Sequence, residues 1–286
     1  MIEGPLEVSA AMAGPFPRSY TVSSKPDLPQ QRDEQLDNLL HQYLEKLHSF
    51  PNRPNALHLR NSNISLNNTN LNTTEIQKFL RATQVFEDIP HYCDVTGTFT
   101  TILIQHAHNN GQNNFEIDCR EIKPLNFLCY ELKERTKGSL EIILRGNSGT
   151  YCGLFSVGGR YFIEQAGDYL FKHSMGGTYY INHAGEYCAM DSEHATYYIT
   201  EAGSSCASFA KNTNFYFTEI GSRQYYKNIP GTYAFKSKNC HFHTANEKIY
   251  KILKRQFRGR STRTASMLSP EEWEHHWAPA HERLKR

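Results

Sequence analysis

The chain has 286 residues, of which 38% are hydrophobic, and its formal net charge is +2 at neutral pH. A chain of this size can bury one or two hydrophobic cores. The sequence contains no run of eighteen apolar residues, so it predicts no membrane-spanning helix. The first twenty residues lack the charged and apolar regions of a signal peptide, and the seven cysteines are typical of reduced thiols in a cytosol. The sequence therefore predicts a soluble, cytoplasmic protein.

The N-terminal half is predicted to be a tail followed by a mixed region. Residues 1–30 are rich in Pro, Ser and Gly without periodicity and are predicted to be a disordered tail. Apolar residues between Leu36 and Leu47 recur at the three-and-four spacing of an amphipathic helix that ends near Pro51. Residues 31–138 are predicted to be a mixed α/β region leading into the repeats, with a helix over 74–84.

The last part of this mixed region predicts a strand, a helix and a second strand. Pro124 is a favourable first residue of a helix, and Gly138 is a typical stop. Between them, four apolar side chains share one face of a helix: Leu125, Leu128, Cys129 and Leu132. This unit is expected to lead directly into the repeats.

An internal repeat of eighteen residues follows. Glycines recur at this interval without interruption: Gly149, Gly167, Gly185, Gly203 and Gly221. The residue before each of these glycines is mostly small. A small residue followed by a glycine predicts a tight corner where backbones stack and φ can be positive. One aromatic column shares the register: Tyr161, Tyr179, Tyr197, Phe215 and Tyr233. A second column lies two residues along, as a strand requires: Ile163, Ile181, Ile199, Phe217 and Phe235.

These columns predict a mainly β fold, a parallel β-helix of 18-residue coils over residues 139–243 with α-helices at both ends. Cys152, Leu170, Cys188 and Cys206 suggest a second strand in each coil, with thiols pointing into the core.

Residues 244–286 are predicted to be a basic helical cap and a C-terminal tail. A capping box at Thr244 opens a helix whose apolar face is expected to cover the end of the stack: Ile249, Ile252, Leu253 and Phe257. A shorter helix after Ser269 is expected to break at Pro279, and the segment beyond Arg263 is expected to contribute little to the fold.

The repeat also resembles a known family. The stretch "GNSGTYCGLFSVGGRYFIEQAGDYLFKHSMGGTYYINHAG" is similar to the glycine-repeat β-helix domain found in the glutamate synthase large subunit and in one of the subunits of formylmethanofuran dehydrogenase. The similarity covers about residues 139–240 and departs from the pattern at Gln165 and His183, where a glycine is expected. The matching residues are Gly146, Gly149, Gly153, Gly158, Gly159, Gly167, Asp168, Tyr169, Met175, Gly176, Gly177, Ala184 and Gly185. The resemblance implies a right-handed parallel β-helix that supports and bridges catalytic parts without supplying catalytic residues.

Two enzyme classes share the solenoid architecture. A left-handed acyltransferase helix needs an inner column every six residues, but stepping from Ile181 gives Tyr187 and Glu193. A pectate-lyase-like enzyme needs clustered acidic ligands, for which Asp168, Glu186 and Ser204 occupy equivalent positions. Stacked carboxylates at a corner are more often solvated surface, so both alternatives are disfavoured.

Two pairs of histidines in the sequence are candidate metal ligands. The pairs His106/His108 and His241/His243 would each lie on one side of a strand, next to Cys240 in the second case. A closed zinc site needs four ligands, and the sequence has no Cys-x-x-Cys. The sequence accordingly assigns no catalytic, cofactor-binding or metal-binding residue and no cofactor.

The sequence favours a non-catalytic scaffold or protein-interaction protein, such as a structural subunit of a larger complex. The alternative is an enzyme, acyltransferase-like or carbohydrate-active, with a site in the N-terminal region or on a solenoid face. From residue 222 onward, fourteen Lys and Arg face five Glu. This segment could bind an acidic partner or a nucleic acid through six residues: Lys251, Lys254, Arg255, Arg258, Arg260 and Arg263.

Overall fold

The structure is a computed structural model that describes residues 33–49, 64–66, 69, 71–220, 236–259 and 261–284. Contacts divide the chain into Met1–Glu34 and Gln35–Arg286, and the elements below belong to the second unit except for the first residue of helix α1. The predicted tail over 1–30, and Gly221, Tyr233 and Phe235 of the repeat, lie outside the described residues.

Helices lie at both ends of a run of strands. The helices are α1 (Glu34–Ser49), α2 (Thr73–Thr83), α3 (Tyr92–Asn109), α4 (Glu247–Phe257) and α5 (Pro270–Leu284). The strands are β1 (Asn114–Asp118), β2 (Glu141–Asn147), β3 (Arg160–Gln165), β4 (Thr178–Ala184), β5 (Thr196–Ala202), β6 (Asn214–Ile220), β7 (Cys240–Thr244) and β8 (Arg263–Met267). Helices α1 and α2 confirm two predictions. None of these helices is long and apolar enough to cross a membrane.

The strands form one parallel sheet in the order β1 to β8, wound as a β-solenoid of about six turns. Residues eighteen apart pair across neighbouring strands, as Tyr161 does with Tyr179 and Ile163 with Ile181. The predicted parallel solenoid with flanking helices is confirmed. The sheet extends beyond the predicted repeat, because β1 precedes residue 139 and β8 follows residue 243.

Each coil closes through a wall of turns, called here the turn wall, instead of the predicted second strand. In one coil Tyr169, Phe171 and His173 have φ of 60°, 52° and 56°, so alternate residues are left-handed. Their N–H groups bond to neighbouring coils, as Phe171 N does to Cys152 O at 2.8 Å. The expected thiol positions are correct, since Cys152 is fully buried, but strand pairing in the wall is limited to isolated bridges.

The predicted helix between Pro124 and Gly138 is wrong, because this segment forms the turn wall of the first coil. Phe127, Cys129 and Glu131 have φ of 59°, 62° and 50°, which no right-handed helix allows. The apolar residues that suggested a helix are all buried in the solenoid core: Leu125, Leu128, Cys129 and Leu132. Packing into the solenoid core therefore explains the apolar spacing that had suggested a helix.

The repeated glycines are needed for close stacking more than for unusual dihedrals. A Cβ on Gly203 would lie 2.5 Å from the carbonyl carbon of Gly185, and one on Gly185 would lie 2.5 Å from that of Gly167. Of the four described, Gly149 has a positive φ of 72°, whereas the other three do not. The corners therefore exclude side chains because the coils touch there.

Helix α4 connects β7 to β8 and packs on the end of the core. Ile249, Leu253 and Phe257 are buried, and the Phe257 ring lies 4.9 Å from that of Phe242. This confirms the predicted packing for three of the four apolar residues, while Ile252 is only partly buried.

Helix α5 covers the outer face of the sheet, so the expectation that the segment after Arg263 contributes little is wrong. Outward rings on neighbouring strands stack with centroids 4.4 to 5.0 Å apart. This outer ladder consists of Phe162, Tyr180, Tyr198, Tyr216 and His243. Trp273 and Trp277 of α5 pack with it and are 8% and 5% exposed.

The end of α5 is fixed to strand β2 by Arg145. Its guanidinium donates to the carbonyl oxygen of Arg283 at 3.0 Å and pairs with Glu116 at 2.5 Å. A buried cation at a helix C-terminus complements the helix dipole. The helix continues through Pro279 because its neighbours Trp277 and Ala280 are buried, so the predicted break at this proline is wrong.

Candidate functional site

The turn wall carries a block of exposed apolar side chains on two neighbouring coils. Phe155 is 42% exposed, Val157 37% and Met175 52%. Phe155 stacks on the ring of His173 with centroids 4.9 Å apart, and Val157 is bridged to Met175 in parallel pairing. These four residues are called the turn-wall patch. They form a contiguous surface because adjacent coils place equivalent residues side by side.

Charged residues border this patch on the next coils. Asp191 lies 3.8 Å from His173, and on the next column the carboxylate of Glu193 lies 2.5 Å from Lys211 Nζ. Burial lowers the pKa of His173 below its usual value, so its ring is neutral at pH 7 while it stacks on Phe155. An apolar centre with a charged rim is the usual composition of a protein–protein interface.

A second aromatic column lies on the corner next to the patch. Four rings stack in parallel with centroids 4.9 to 5.1 Å apart: Phe127, Tyr151, Tyr169 and Tyr187. Their faces contact one another, so the inner members of the column offer only their edges. Ring edges alone are poor platforms for stacking nucleic-acid bases, so the column serves mainly to stack the coils.

A groove of about 330 Å³ runs along one side of helix α3, between Leu66 and Tyr130. Most of its polar groups already have partners within the protein. Thr101 Oγ1 donates to the carbonyl of Gly97, and the Gln105 amide bonds to the backbone of Lys133.

One hydroxyl in this groove is different. Thr98 is 1% exposed, and its Oγ1 has no hydrogen-bond partner among the described residues. His106 also lines the groove, and its Nε2 lies 2.9 Å from the amide nitrogen of Asn110. The groove could hold a small polar molecule, but its described lining residues bring together no acid, base and nucleophile in hydrogen-bond contact.

The predicted histidine pairs have different outcomes. His106 and His108 lie on helix α3, not on a strand, so residues two apart point in different directions. The run "TFTTILI" within α3 is rich in threonine and isoleucine, which by propensity favour a strand. Burial of α3 on nearly all sides overrides that propensity.

His241 and His243 do lie on strand β7, and each bonds to strand β8. His241 Nδ1 lies 2.7 Å from Thr264 Oγ1, and His243 Nδ1 lies 2.6 Å from Ser266 Oγ. Across the described residues, no three His, Cys, Asp or Glu side chains come together in a metal-binding arrangement. These imidazoles thus connect two strands of the sheet.

His243 should make folding stability depend on pH. Burial, together with the smaller effects of the nearby His241 and His276, lowers its pKa to about 4. An unfolded histidine has a pKa of about 6.5, so the unfolded state binds the proton first as the pH falls. Stability is therefore expected to decrease between about pH 6.5 and pH 4 and to show no further loss from this group below that.

The measurement is chemical denaturation from pH 7.5 to 4 for the wild type and His243→Phe, which keeps a ring on Tyr216 but cannot titrate. The variant should show a smaller loss over this window. His275→Gln, a change at an exposed residue of helix α5, is the control and should follow the wild type. Equal slopes for the wild type and His243→Phe would show that His243 is not protonated on unfolding.

The stacked acidic corner and the basic segment are also located. Asp168 Oδ1 accepts the backbone N–H of Glu186 at 2.8 Å, so this carboxylate links two coils. Lys251, Lys254 and Arg255 are exposed on helix α4, and Lys251 pairs with Glu247 at 2.7 Å. Arg260 lies outside the described residues.

Comparisons of the chain with family models, curated proteins and solved structures found no match. The turn-wall patch is therefore assigned from geometry alone. The sequence analysis did not identify it, although Val157 and Met175 are eighteen residues apart, on the register of the repeat. A signal was available in these outward apolar residues, but it required knowing which positions of the turn wall face outward.

Proposed function

We propose that this protein is a non-catalytic β-solenoid scaffold that binds another protein through the turn-wall patch. The observation that carries the proposal is the contiguous exposure of Phe155, Val157 and Met175. Large apolar side chains exposed together on a monomer's surface mark interaction sites, because water contact with them is unfavourable until a partner covers them.

The framework supports such a role, since the patch lies on stacked coils and not on a free loop. The Val157–Met175 bridge continues through Glu193 and Lys211 to Lys238, so the patch belongs to a hydrogen-bonded array. Sites on rigid elements lose less conformational entropy on binding.

The proposal also includes a cytoplasmic location and a place in a larger complex. The seven cysteines are free thiols, and six are buried, which fits the proposed cytoplasmic location. The resemblance to the glycine-repeat β-helix domain suggests a supporting subunit of a larger complex, and it remains a prediction.

The enzymatic alternative depends on the groove along α3. Its unpartnered hydroxyl, on Thr98, favours ligand binding there, but the amide of Gln105 is already held by the chain's own backbone. The groove therefore supports a bound small molecule better than a reaction.

The proposal is tested by placing charge in the patch. The double variant Phe155→Asp, Met175→Asp is compared with Val85→Asp, which alters an apolar residue that is 64% exposed and lies outside the patch. Tagged proteins are purified from the native cells, and co-purifying proteins are quantified by mass spectrometry. Loss of a central contact costs about 2 kcal/mol or more, so binding should weaken about 30-fold or more.

The control variant should retain the same partners. Recovery of the same proteins in equal amounts with the patch variant, folded as judged by circular dichroism, would exclude the patch as the binding surface.

A further inference from the structure

The two edges of the solenoid sheet are closed in different ways. In β1, Cys119 N donates to Arg145 O, so alternate residues face β2 and the backbone of Asp118 points outward. The Gln77 amide of helix α2 bonds to this outward backbone twice, accepting from Asp118 N at 2.9 Å and donating to Asp118 O at 3.0 Å. Thr73 Oγ1 donates to Asn114 O at 3.0 Å. Side chains thus replace a neighbouring strand at this edge.

Within the part of the chain that the structure describes, strand β8 has no equivalent cover. Leu268 N donates to Thr244 O at 2.9 Å, and Thr262 O accepts from Cys240 N at 3.2 Å. Alternation in a parallel ladder therefore turns the backbone groups of Ala265 and Met267 away from β7. No hydrogen bond from the described part of the chain reaches these N–H and C=O groups. A sheet edge of this kind is a template for a further strand.

We propose that β8 binds an extended acidic segment of a partner protein as a ninth strand. Main-chain hydrogen bonds to Ala265 and Met267 would supply affinity, as in other cases of strand addition. Ala265 packs against the core side, and Met267 is 49% exposed. Helix α4 packs on this same side, so the added strand would place its acidic side chains on the side of α4 and apolar ones on the other.

Charge next to this edge selects an acidic occupant. Helix α4 contacts β8 more extensively than β7, so the helix lies beside the strand that forms this edge. The exposed side of α4 and its C-cap carry five cations, namely Lys248, Lys251, Lys254, Arg255 and Arg258, and the one carboxylate within the helix is Glu247. Opposite charge on the partner would gain from this field.

The same charge disfavours a second copy of this chain. Antiparallel pairing of β8 with its own copy would bring the two α4 helices side by side on the inner face of the joined sheet. Each would carry the same five cations, and like charges brought together cost free energy. The β8 edge is separate from the turn-wall patch, so either proposal can fail without the other.

The test uses the full chain and a seven-residue blocked peptide of alternating aspartate and valine, with alternating lysine and valine as the control peptide. We expect the acidic peptide to bind, with affinity that falls as salt rises, and the basic peptide to bind at least about tenfold more weakly. Ala265→Pro removes one outward N–H at an edge position that tolerates proline. It should lose at least about tenfold in affinity.

Ala265→Val keeps the N–H and is the matched control, with affinity near the wild type. Lys248→Glu with Arg255→Glu should also weaken acidic-peptide binding. Hydrogen exchange adds a direct readout, because the amides of Ala265 and Met267 should exchange quickly in the free protein and slowly with the peptide. The amides of Thr264 and Ser266, which face β7, should exchange slowly both in the free protein and with the peptide bound.

Four outcomes would overturn the proposal. Equal binding by Ala265→Pro would show that the edge is not used. Slow exchange of Ala265 and Met267 in the dilute free protein would show that another part of the chain covers it. Protection of these amides that appears with protein concentration would show a second copy. Displacement of the peptide by a single-stranded oligonucleotide that itself protects the two amides would show a nucleic-acid site.

Discussion

Ending the chain after Leu268 is expected to lower the melting temperature sharply and to make the protein associate. This truncation removes helix α5 and uncovers the outer ladder, in which Tyr180 and Tyr198 are 6% and 9% exposed. Truncating a buried tryptophan costs about 3–5 kcal/mol, and α5 buries two of them. That loss is comparable with a domain's total stability of about 5–15 kcal/mol.

A point variant separates packing from chain length. Trp277→Ala should destabilise the full chain by about 3 kcal/mol. Glu274→Ala changes an exposed residue of the same helix and should stay within about 0.5 kcal/mol of the wild type. Urea denaturation measures both, and light scattering reports association. A truncated protein that melts like the full chain would mean that α5 does not stabilise the sheet.

Gly203→Ala is expected to destabilise the protein by about 3 kcal/mol, because overpacking forces neighbouring groups to move. The new Cβ would meet the Gly185 carbonyl carbon at 2.5 Å, and backbone stacked within a solenoid cannot easily shift. Gly203 itself lies outside the left-handed region, so this cost would come from contact alone.

Gly138→Ala is the matched comparison. Gly138 has a φ of 77° but nothing within 4 Å of a new Cβ, so it carries only dihedral strain of about 1–2 kcal/mol. Denaturation midpoints should therefore rank the wild type first, Gly138→Ala second and Gly203→Ala last. Equal losses for the two variants would mean that the stacked corners relax more freely than their geometry indicates.

The register of the solenoid could be predicted because one physical cause repeats every eighteen residues. Tyr161, Tyr179 and Tyr197 each face the core at the same point of a coil, so their spacing records the length of the coil. The apolar face of α4 could also be predicted from the sequence, since it packs on that core at the end of the stack.

The turn wall could not be predicted from the same pattern. Its residues Phe171 and His173 adopt left-handed φ without being glycine, and inter-coil hydrogen bonds hold them there. A rule based on local propensity assigns such residues to strands or helices. The role of α5 was missed for a related reason, because Trp273 and Trp277 are buried by strands distant in sequence.

The candidate site was missed because exposure is a property of the folded surface. Met175 matched the glycine-repeat pattern in sequence, yet it is 52% exposed beside Phe155 and Val157. No spacing rule distinguishes such a methionine from one in a core.

Site-specific photo-crosslinking in the native cells tests the central claim most directly. A photoreactive amino acid is placed at Met175 within the turn-wall patch and, in a second protein, at Val85. A protein scaffold that binds through the patch predicts a discrete crosslinked protein from position 175 that is absent from position 85 and is lost when Phe155→Asp is added. The same crosslinked proteins from both positions, or none from position 175, would contradict it.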